Sequence, residues 1–275
     1  MQVRRSEIWR RGYRLLGTMA FAAISGAVRA AQAETLADYG CEEPIHLAFY
    51  EFGPFYHDGI GIDRDVVDEL AARTGCRIET TTEPRAQIWQ ELEANTLDMS
   101  TGGIRTDARA RFAYFIPYFG LKNAVVAGRD IAPQIHSFDD ILENPNWRIG
   151  VVEGYLHGPY FDYRLSVAGA RVIRYPDQNA IYRALQDGEV QVIVSPAFNY
   201  EYFFPSEVQR RDFALIDVSP APPISEDMLF NKRRFTPAQI GAWSRLFEQM
   251  RLDGTLERIF RRQVSPEMAR ILMTY

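Results

Sequence analysis

Residues 45–82, IHLAFYEFGPFYHDGIGIDRDVVDELAARTGCRIETTT, decide the fold. An apolar run at 45–50 predicts a strand. Apolar side chains three and four residues apart then predict an amphipathic helix over 63–74, which ends at Gly75. A second strand is predicted at 77–82. Strand, helix and strand in this order predict a right-handed βαβ unit with a parallel sheet.

The same alternation continues outward from this unit and then restarts. A helix at 86–95, a strand at 98–104 and a helical turn from Thr106 complete the first series. A strand at 123–129 leads away from it. The second series has strands at 148–153, 171–175 and 190–195, helices at 137–143, 159–168 and 178–186, and a helical segment from Asn199. A return passage at 214–218 and 227–230 precedes a long helical region at 236–260.

Two crossings of the chain predict a discontinuous domain. We expect an α/β fold of two lobes, each a mainly parallel sheet flanked by helices, joined by two hinge strands. The first lobe would comprise residues 34–126 and 222–275, and the second, at 127–221, would be inserted into it. A ligand would then lie in the cleft, near strand carboxyl ends and helix amino termini that favour anions.

The amino-terminal residues 1–33 are typical of a secretory signal peptide. An Arg-rich segment precedes a short apolar run at 15–28, and Ala31-Gln32-Ala33 matches a signal-peptidase site. The alternative is a membrane anchor, but the apolar run is shorter than the ~20 residues of a spanning helix. We expect cleavage near Ala33 and a periplasmic protein without stable membrane insertion.

Composition excludes several classes of protein. The chain has 275 residues, of which 47% are hydrophobic and 24% charged, which is typical of a folded globular protein. Residues 1–33 contain six Arg and one Glu, so the remainder carries 25 basic and 35 acidic residues, a net charge of −10. Such a surface repels phosphate backbones, so we expect no nucleic-acid partner.

The only two cysteines, Cys41 and Cys76, each precede a predicted strand. If these strands are parallel neighbours, both cysteines lie at the same sheet edge, within bridging distance. An oxidising compartment favours a disulfide, and the alternative is a pair of buried thiols. The four histidines show no ligand spacing, so we expect no metal site and no cofactor.

Several ordered motifs resemble those of family 3 periplasmic solute-binding proteins, the polar amino-acid receptors of ABC importers. They are FGPF at 52–55 with GID at 61–63, LEANTLD at 92–98, TDAR at 106–109, RIGVVEG at 148–154, ALQDGEV at 184–190 and DGTL at 253–256. The resemblance covers nearly all of the chain after residue 33. It implies two α/β lobes that close on a small ligand by a hinge motion, a monomer, and an inner-membrane permease or sensor as partner.

The resemblance also implies roles for first-lobe residues. Arg109 falls where the family's arginine clamps a ligand carboxylate, a task that suits a planar guanidinium. Thr101 and Gly102 fall where hydroxyl and backbone groups meet the ligand. Phe52 falls where an aromatic ring packs over it, and Arg85 faces the ligand's side chain. The alternatives are solvated arginines at helix surfaces and a core phenylalanine.

The second lobe departs from the family pattern. Its ligand-facing positions are Gly154, Tyr155 and Ser195, where the family has hydroxyl side chains after the glycine and an Asp in place of Ser195. Without that carboxylate, an α-ammonium group would lose a charge-assisted partner. Two cleft arginines and a missing anion together predict a small anionic organic solute, a carboxylate rather than a standard amino acid.

Two other functions remain open at this stage. The resemblance extends to periplasmic cyclohexadienyl dehydratases, which share the fold. An enzyme of that kind needs a cleft acid with a raised pKa, and Glu153 is the one candidate in the sequence. The third function is a ligand-sensing partner of a membrane receptor. We expect a binding protein rather than an enzyme.

Overall fold

Ten strands and eleven helices alternate along residues 34–275, the part of the chain that the computed structural model describes. The strands are β1 (Ile45–Phe49), β2 (Ile78–Thr82), β3 (Met99–Gly103), β4 (Ala113–Leu121), β5 (Asn123–Gly128), β6 (Ile149–Val152), β7 (Val172–Tyr175), β8 (Val192–Pro196), β9 (Phe213–Ile216) and β10 (Ile224–Asn231). The helices are α1 (Leu36–Tyr39), α2 (Ile62–Thr74), α3 (Arg85–Ala94), α4 (Phe138–Glu143), α5 (Pro159–Ala168), α6 (Gln178–Gln186), α7 (Ala197–Phe203), α8 (Glu207–Asp212), α9 (Pro237–Leu252), α10 (Thr255–Phe260) and α11 (Pro266–Leu272). The predicted signal peptide lies outside these residues. None of the described helices is long and apolar enough to span a bilayer.

The first sheet has the strand order β2-β1-β3-β10-β4. Strands β2, β1 and β3 are parallel, and β10 runs antiparallel to both β3 and β4. Helix α2 buries Val66, Val67 and Leu70, and it ends at Gly75 with φ of 74°. Glycine adopts this left-handed conformation at little cost, so the chain can turn directly into β2.

The second sheet repeats this plan, with the order β7-β6-β8-β5-β9. Strands β7, β6 and β8 are parallel, while β5 is antiparallel to β8 and β9. Each lobe therefore has three parallel strands, completed by strands next to the crossings between lobes. The predicted two-lobed α/β fold is confirmed.

The chain crosses between the sheets at two places. Strand β4 of the first sheet and β5 of the second are separated only by Lys122. The return path lies between β9, which ends at Ile216, and β10, which begins at Ile224. The predicted lobe boundary at 126 thus falls inside β5, whereas the boundary at 221 falls in the return path.

Strand β4 is the largest element that the sequence pattern did not predict. Its nine residues include Pro117, which lacks an N–H group and argues against a central strand. The structure resolves this conflict by placing β4 at the edge of the first sheet, where it pairs only with β10. An edge strand tolerates proline because one side of its backbone needs no ladder hydrogen bonds.

A disulfide joins Cys41 to Cys76, as predicted. Their Cα atoms are 5.5 Å apart, and each residue lies just before one of the paired parallel strands β1 and β2. Nearby, the indole of Trp243 on α9 donates a hydrogen bond to the carbonyl of Tyr39, 2.9 Å away. The disulfide thus fixes the amino-terminal end of the described chain to the first sheet. The Trp243 hydrogen bond fixes it to helix α9.

Replacing both cysteines by serine should lower the free energy of unfolding by ~2 to 4 kcal/mol, because the open chain gains conformational entropy when unfolded. Urea unfolding of the oxidised wild type and the Cys41→Ser/Cys76→Ser variant measures this difference. The reduced wild type is the matched control and should resemble the variant. Equal stability of all three forms would contradict the prediction.

Candidate functional site

Residues of both lobes and both crossings surround one small cavity. Tyr50 and Phe52 after β1, together with Arg85 at the start of α3, form one side. Gly154 and Tyr155 of the second lobe face them. The cavity holds about 20 Å³, room for about one water molecule. The lobes are therefore closed on each other, and a larger solute requires them to separate or the side chains to move.

Arg85 is the most deeply buried cation of the cavity, with 4% of its surface exposed. Its guanidinium donates hydrogen bonds to the carbonyls of Thr101 and Gly102 at the end of β3. It also lies over the rings of Tyr50 and Trp89, with its central carbon 4.4 Å and 4.2 Å from the ring centroids. These contacts compensate its charge by dipoles and aromatic faces.

Arg109 lies in a one-turn 3₁₀ helix at Arg109–Arg111, between β3 and β4. Its guanidinium carbon is 3.7 Å from the Trp89 centroid, so both cavity arginines contact the same indole. It donates to the carbonyl of Ile104 at 3.1 Å and to that of Gly154 at 3.0 Å. Burial, followed by the like charge of Arg85, lowers the pKa of Arg109 to about 9. Arg109 therefore remains charged at neutral pH.

A buried chain of hydrogen bonds fixes the backbone at Gly102. Its N–H donates to the Tyr118 hydroxyl at 3.0 Å, and that hydroxyl donates to Asp63 at 2.7 Å. The Tyr50 hydroxyl donates to the Gly102 carbonyl at 2.9 Å. Burial raises the pKa of Asp63 to about 7. Gly102 has φ of 48°, and a Cβ there would lie 2.5 Å from the Tyr50 oxygen, so the position requires glycine.

Glu226 also lines the cavity, and the sequence argument missed it. It lies near the start of β10 and is 5% exposed. Burial raises its pKa to about 8, although the charges of Arg85 and then Arg109 act in the opposite direction. In the sequence, Ser225-Glu226-Asp227 is typical of a solvated strand end. Only the second crossing, which runs beside the cleft, brings this carboxyl group into the site.

Contacts across the cleft converge on Gly154 and Tyr155. The Gly154 carbonyl accepts hydrogen bonds from Arg109 and from the Trp89 indole, the latter at 3.2 Å. The Tyr155 hydroxyl donates to the carbonyl of Glu51 at 3.2 Å. These three bonds link first-lobe loops and helices to the loop after β6. They give the closed arrangement its polar connections near the cavity.

Phe52 lies at an aromatic contact between the lobes. Its ring meets Tyr155 edge-on at 5.6 Å and Phe198 of α7 at 5.4 Å. It lines the cavity and is also part of the first-lobe core. Phe52 therefore belongs both to the cavity wall and to the hydrophobic core of the first lobe.

The two remaining predicted residues, Thr101 and Ser195, are fully buried and do not line the cavity. The Ser195 hydroxyl contacts Gln178 and Tyr182 within the second lobe, each at 3.2 Å. Pro196 takes its place at the cavity wall. The predicted ligand positions thus divide into six that meet at one cavity and two that lie behind it.

Glu153, the candidate acid of an enzyme, lies elsewhere. Its side chain is 52% exposed and pairs with Arg174 at 3.3 Å. It is not part of the cavity wall. Among residues 34–275, no group of three or more His, Cys, Asp or Glu side chains is arranged to hold a metal ion.

A second cavity of about 210 Å³ lies on the other side of Arg85. Tyr50, Arg85 and Tyr155 line both cavities and separate them. The outer wall carries three acidic residues, Glu51, Glu83 and Asp177. Movement of the Arg85 and Tyr155 side chains would join the two spaces.

Comparison with known proteins agrees with this architecture. The model of the bacterial extracellular solute-binding proteins, family 3, matches residues 49–265, and the chain belongs to this family. It is therefore a bacterial solute-binding protein. A search of curated proteins gave no significant match.

Solved structures share the fold at low sequence identity. The amino-acid ABC transporter substrate-binding protein AbpA from Streptococcus pneumoniae, bound to L-arginine, is 17% identical with a TM-score of 0.68, over 83% of this chain and 96% of that one. A substrate-binding protein of an ABC uptake transporter from the same organism, with bound histidine, is 18% identical with a TM-score of 0.68, over 82% and 94% of the two chains. The P235GK mutant of ArgBP from T. maritima is 15% identical with a TM-score of 0.67, over 83% and 96%.

Tyr118→Phe should destabilise the protein, because it leaves the Gly102 N–H and the Asp63 carboxyl without their shared partner. The expected loss is ~1 to 3 kcal/mol, measured by urea unfolding. Tyr163→Phe is the control, since Tyr163 is 68% exposed. An equal effect of the two substitutions would contradict the role given to Tyr118.

Gly154→Ala should destabilise the closed arrangement. Gly154 has φ of 80°, and a Cβ there would lie 3.0 Å from the Ala86 backbone across the cleft, so the two segments must move apart slightly. Urea unfolding should show a larger loss of stability than left-handed strain alone explains.

Gly188→Ala separates the effect of closure from that of backbone strain. Gly188 has φ of 74°, but nothing lies within 4 Å of its added Cβ. Both variants should lose ~1 to 2 kcal/mol from left-handed strain. Gly154→Ala should lose more, because its Cβ also crowds Ala86, and equal losses in the two variants would count against the closed arrangement.

Proposed function

We propose that this protein captures a small organic carboxylate in the cleft between its lobes and presents it to an inner-membrane ABC importer. The observation that carries the proposal is the pair of cavity arginines, Arg85 and Arg109, over the single indole of Trp89. Two like charges close together in a small cavity raise each other's electrostatic energy. An anionic ligand relieves this cost and gains charge-assisted hydrogen bonds.

Arg109 has donors to spare for such a ligand. A guanidinium carries five N–H groups, and Arg109 uses one on Ile104 and one on Gly154. Its lowered pKa reflects incomplete compensation of its charge. We therefore assign it the principal contact to the ligand carboxylate, and we assign a second contact to Arg85, which lies over the rings of Tyr50 and Trp89. Phe52, Gly102, Gly154 and Tyr155 enclose the ligand.

Thr101 and Ser195 take a supporting part in this proposal. Both are buried directly behind cavity residues, Thr101 before Gly102 and Ser195 before Pro196. They would affect the ligand only indirectly, by positioning the backbone of Gly102 and Pro196.

The periplasm is the proposed location, with cleavage of the chain near Ala33. The Arg-rich and apolar pattern of residues 1–33, the Cys41–Cys76 bridge and the extracellular character of the family support it. We propose a monomer whose lobes divide at the two crossings, at Lys122 and in the return path between β9 and β10. A permease partner follows from the family, whose members serve ABC transporters, and a membrane sensor is the alternative partner.

A binding protein is favoured over a dehydratase-like enzyme because the family model is that of solute-binding proteins, and because Glu153, the acid named for catalysis, is outside the cavity, where Glu226 is the one acid of the wall. Glu153 is paired with Arg174 at the surface. Family members are transport binding proteins, and capture of a solute requires no reacting group.

The decisive experiment is thermal unfolding of the mature protein with a panel of solutes. The panel contains acetate, benzoate, succinate and 2-oxoglutarate, together with arginine and histidine, the amino acids bound in two of the similar structures. A solute at about 100 times its Kd stabilises by ~2.7 kcal/mol, several degrees in Tm. We expect a carboxylate without an amino group to give the largest shift.

Arg109→Ala should weaken binding of that carboxylate roughly 10- to 150-fold, the equivalent of ~1.5 to 3 kcal/mol. Arg111→Ala is the matched control, because Arg111 is an exposed arginine of the same 3₁₀ turn. Equal binding by the Arg109 variant, or shifts from cationic amino acids alone, would refute the proposal.

A further inference from the structure

Glu226 is a buried carboxyl group that the proposed binding site does not yet use. The residue is 5% exposed and lines the cavity beside both arginines. Within the described part of the chain, its carboxyl oxygens form no hydrogen bond and have no Lys, Arg or His nitrogen within 4.0 Å. A buried ionised carboxylate without such partners is costly, and the neutral acid avoids that cost.

The two arginines do not act as its partners because they are engaged elsewhere. Arg85 donates to the carbonyls of Thr101 and Gly102. Arg109 donates to those of Ile104 and Gly154. Both guanidiniums also lie over the Trp89 ring. They act on Glu226 only by electrostatic interaction without a hydrogen bond.

The other acidic groups around Glu226 do not favour its ionised form. Asp227 is its neighbour on β10, and Asp63 approaches from α2, so two acidic groups oppose a negative charge. The remaining groups are hydroxyls of three buried tyrosines whose pKa values are raised by burial, namely Tyr50, Tyr118 and Tyr155. Arg85 and Arg109 are the opposing cations.

We propose that Glu226 faces the cleft as a neutral carboxylic acid and donates its proton in a hydrogen bond to the bound carboxylate, so that solute binding is linked to a proton. This inference rests on the proposed function and specifies its ligand further. The charged groups of the cavity wall would then be the two guanidiniums alone, and the neutral acid would add a further donor. Such a site favours solutes rich in oxygen acceptors, such as dicarboxylates and keto acids, and offers no carboxylate to an ammonium group.

Proton linkage predicts a specific dependence of affinity on pH. With a pKa of about 8 for Glu226, the protonated fraction falls between pH 7 and pH 8.5, and the apparent Kd rises about fourfold. At pH 8, calorimetric titration with succinate or 2-oxoglutarate in buffers of different ionisation enthalpy should show uptake of about half a proton. Arg109, with its pKa of about 9, contributes a smaller loss of affinity over the same range.

Two substitutions at Glu226 distinguish the effect of its titrating proton from the effect of removing its side chain. Glu226→Gln keeps a neutral donor, so at pH 6 it should bind succinate or 2-oxoglutarate about tenfold more tightly than Glu226→Ala. At pH 8 it should take up only the ~0.1 proton that Arg109 contributes, and its Kd should change with pH only through Arg109. Glu153→Gln is the matched control, because Glu153 is an exposed acid that does not line the cavity. It should keep the wild-type proton uptake.

A measurement without any solute tests the neutral state directly. A carboxyl group whose pKa is higher in the folded than in the unfolded protein loses its stabilising effect as pH rises from the unfolded pKa to the folded one. The Tm of Glu226→Gln relative to wild type should therefore increase between pH 5 and pH 8. A constant difference would overturn the neutral state of Glu226.

The remaining outcomes distinguish this inference from the proposed function. Binding of carboxylates without proton uptake would overturn the inference and leave the function intact. Affinity that rises with pH, with binding of an amino acid lost in Glu226→Gln, would show an ionised Glu226 that accepts from an ammonium group. Failure of every carboxylate to shift the wild-type Tm at any pH would refute the function itself, and with it the hydrogen bond to a bound carboxylate.

Discussion

Two guanidinium groups beside one small cavity lie within 4.2 Å of the centroid of one indole ring. Their mutual repulsion would be unfavourable there without compensation. Trp89 supplies an aromatic face to both, and four backbone carbonyls accept their hydrogen bonds. These carbonyls belong to the end of β3, the following loop and the loop after β6. The placement of the arginines thus depends on where three separate chain segments end. The part of their positive charge that these contacts do not offset makes the site favourable for an anion.

The crossings between the lobes determine which residues can join these arginines. Leu121 and Asn123 flank the first crossing at Lys122, and Glu226 lies just after the second. Both passages run beside the cleft, so side chains at these positions reach the cavity without belonging to a ligand-binding loop of either lobe. A carboxyl group on such a passage stays close to the site in any arrangement that moves the lobes about the crossings.

The sequence predicted the parts of this fold that follow from local periodicity. The βαβ unit over residues 45–82, the Cys41–Cys76 pairing and the two-lobed plan are confirmed. Strand β4 was missed because Pro117 suggests a break, and only its position at a sheet edge permits it. Glu226 was missed for a different reason, since the polarity of Ser225-Glu226-Asp227 indicates solvent. Its burial depends on contacts between residues more than 100 positions apart, and these leave no periodic signal.

Arg109 connects recognition to closure through its unused donors. One of its N–H groups holds the Gly154 carbonyl across the cleft, one holds Ile104, and three of the five remain. In the proposed function, these three donors would hold the ligand carboxylate, and the contact to Gly154 would remain part of the closed arrangement around it. Because Gly154 also accepts from Trp89, the ring beneath the guanidinium is fixed by the same carbonyl. Ligand and lobe contacts then reinforce each other, since each holds Arg109 in the orientation that the other requires.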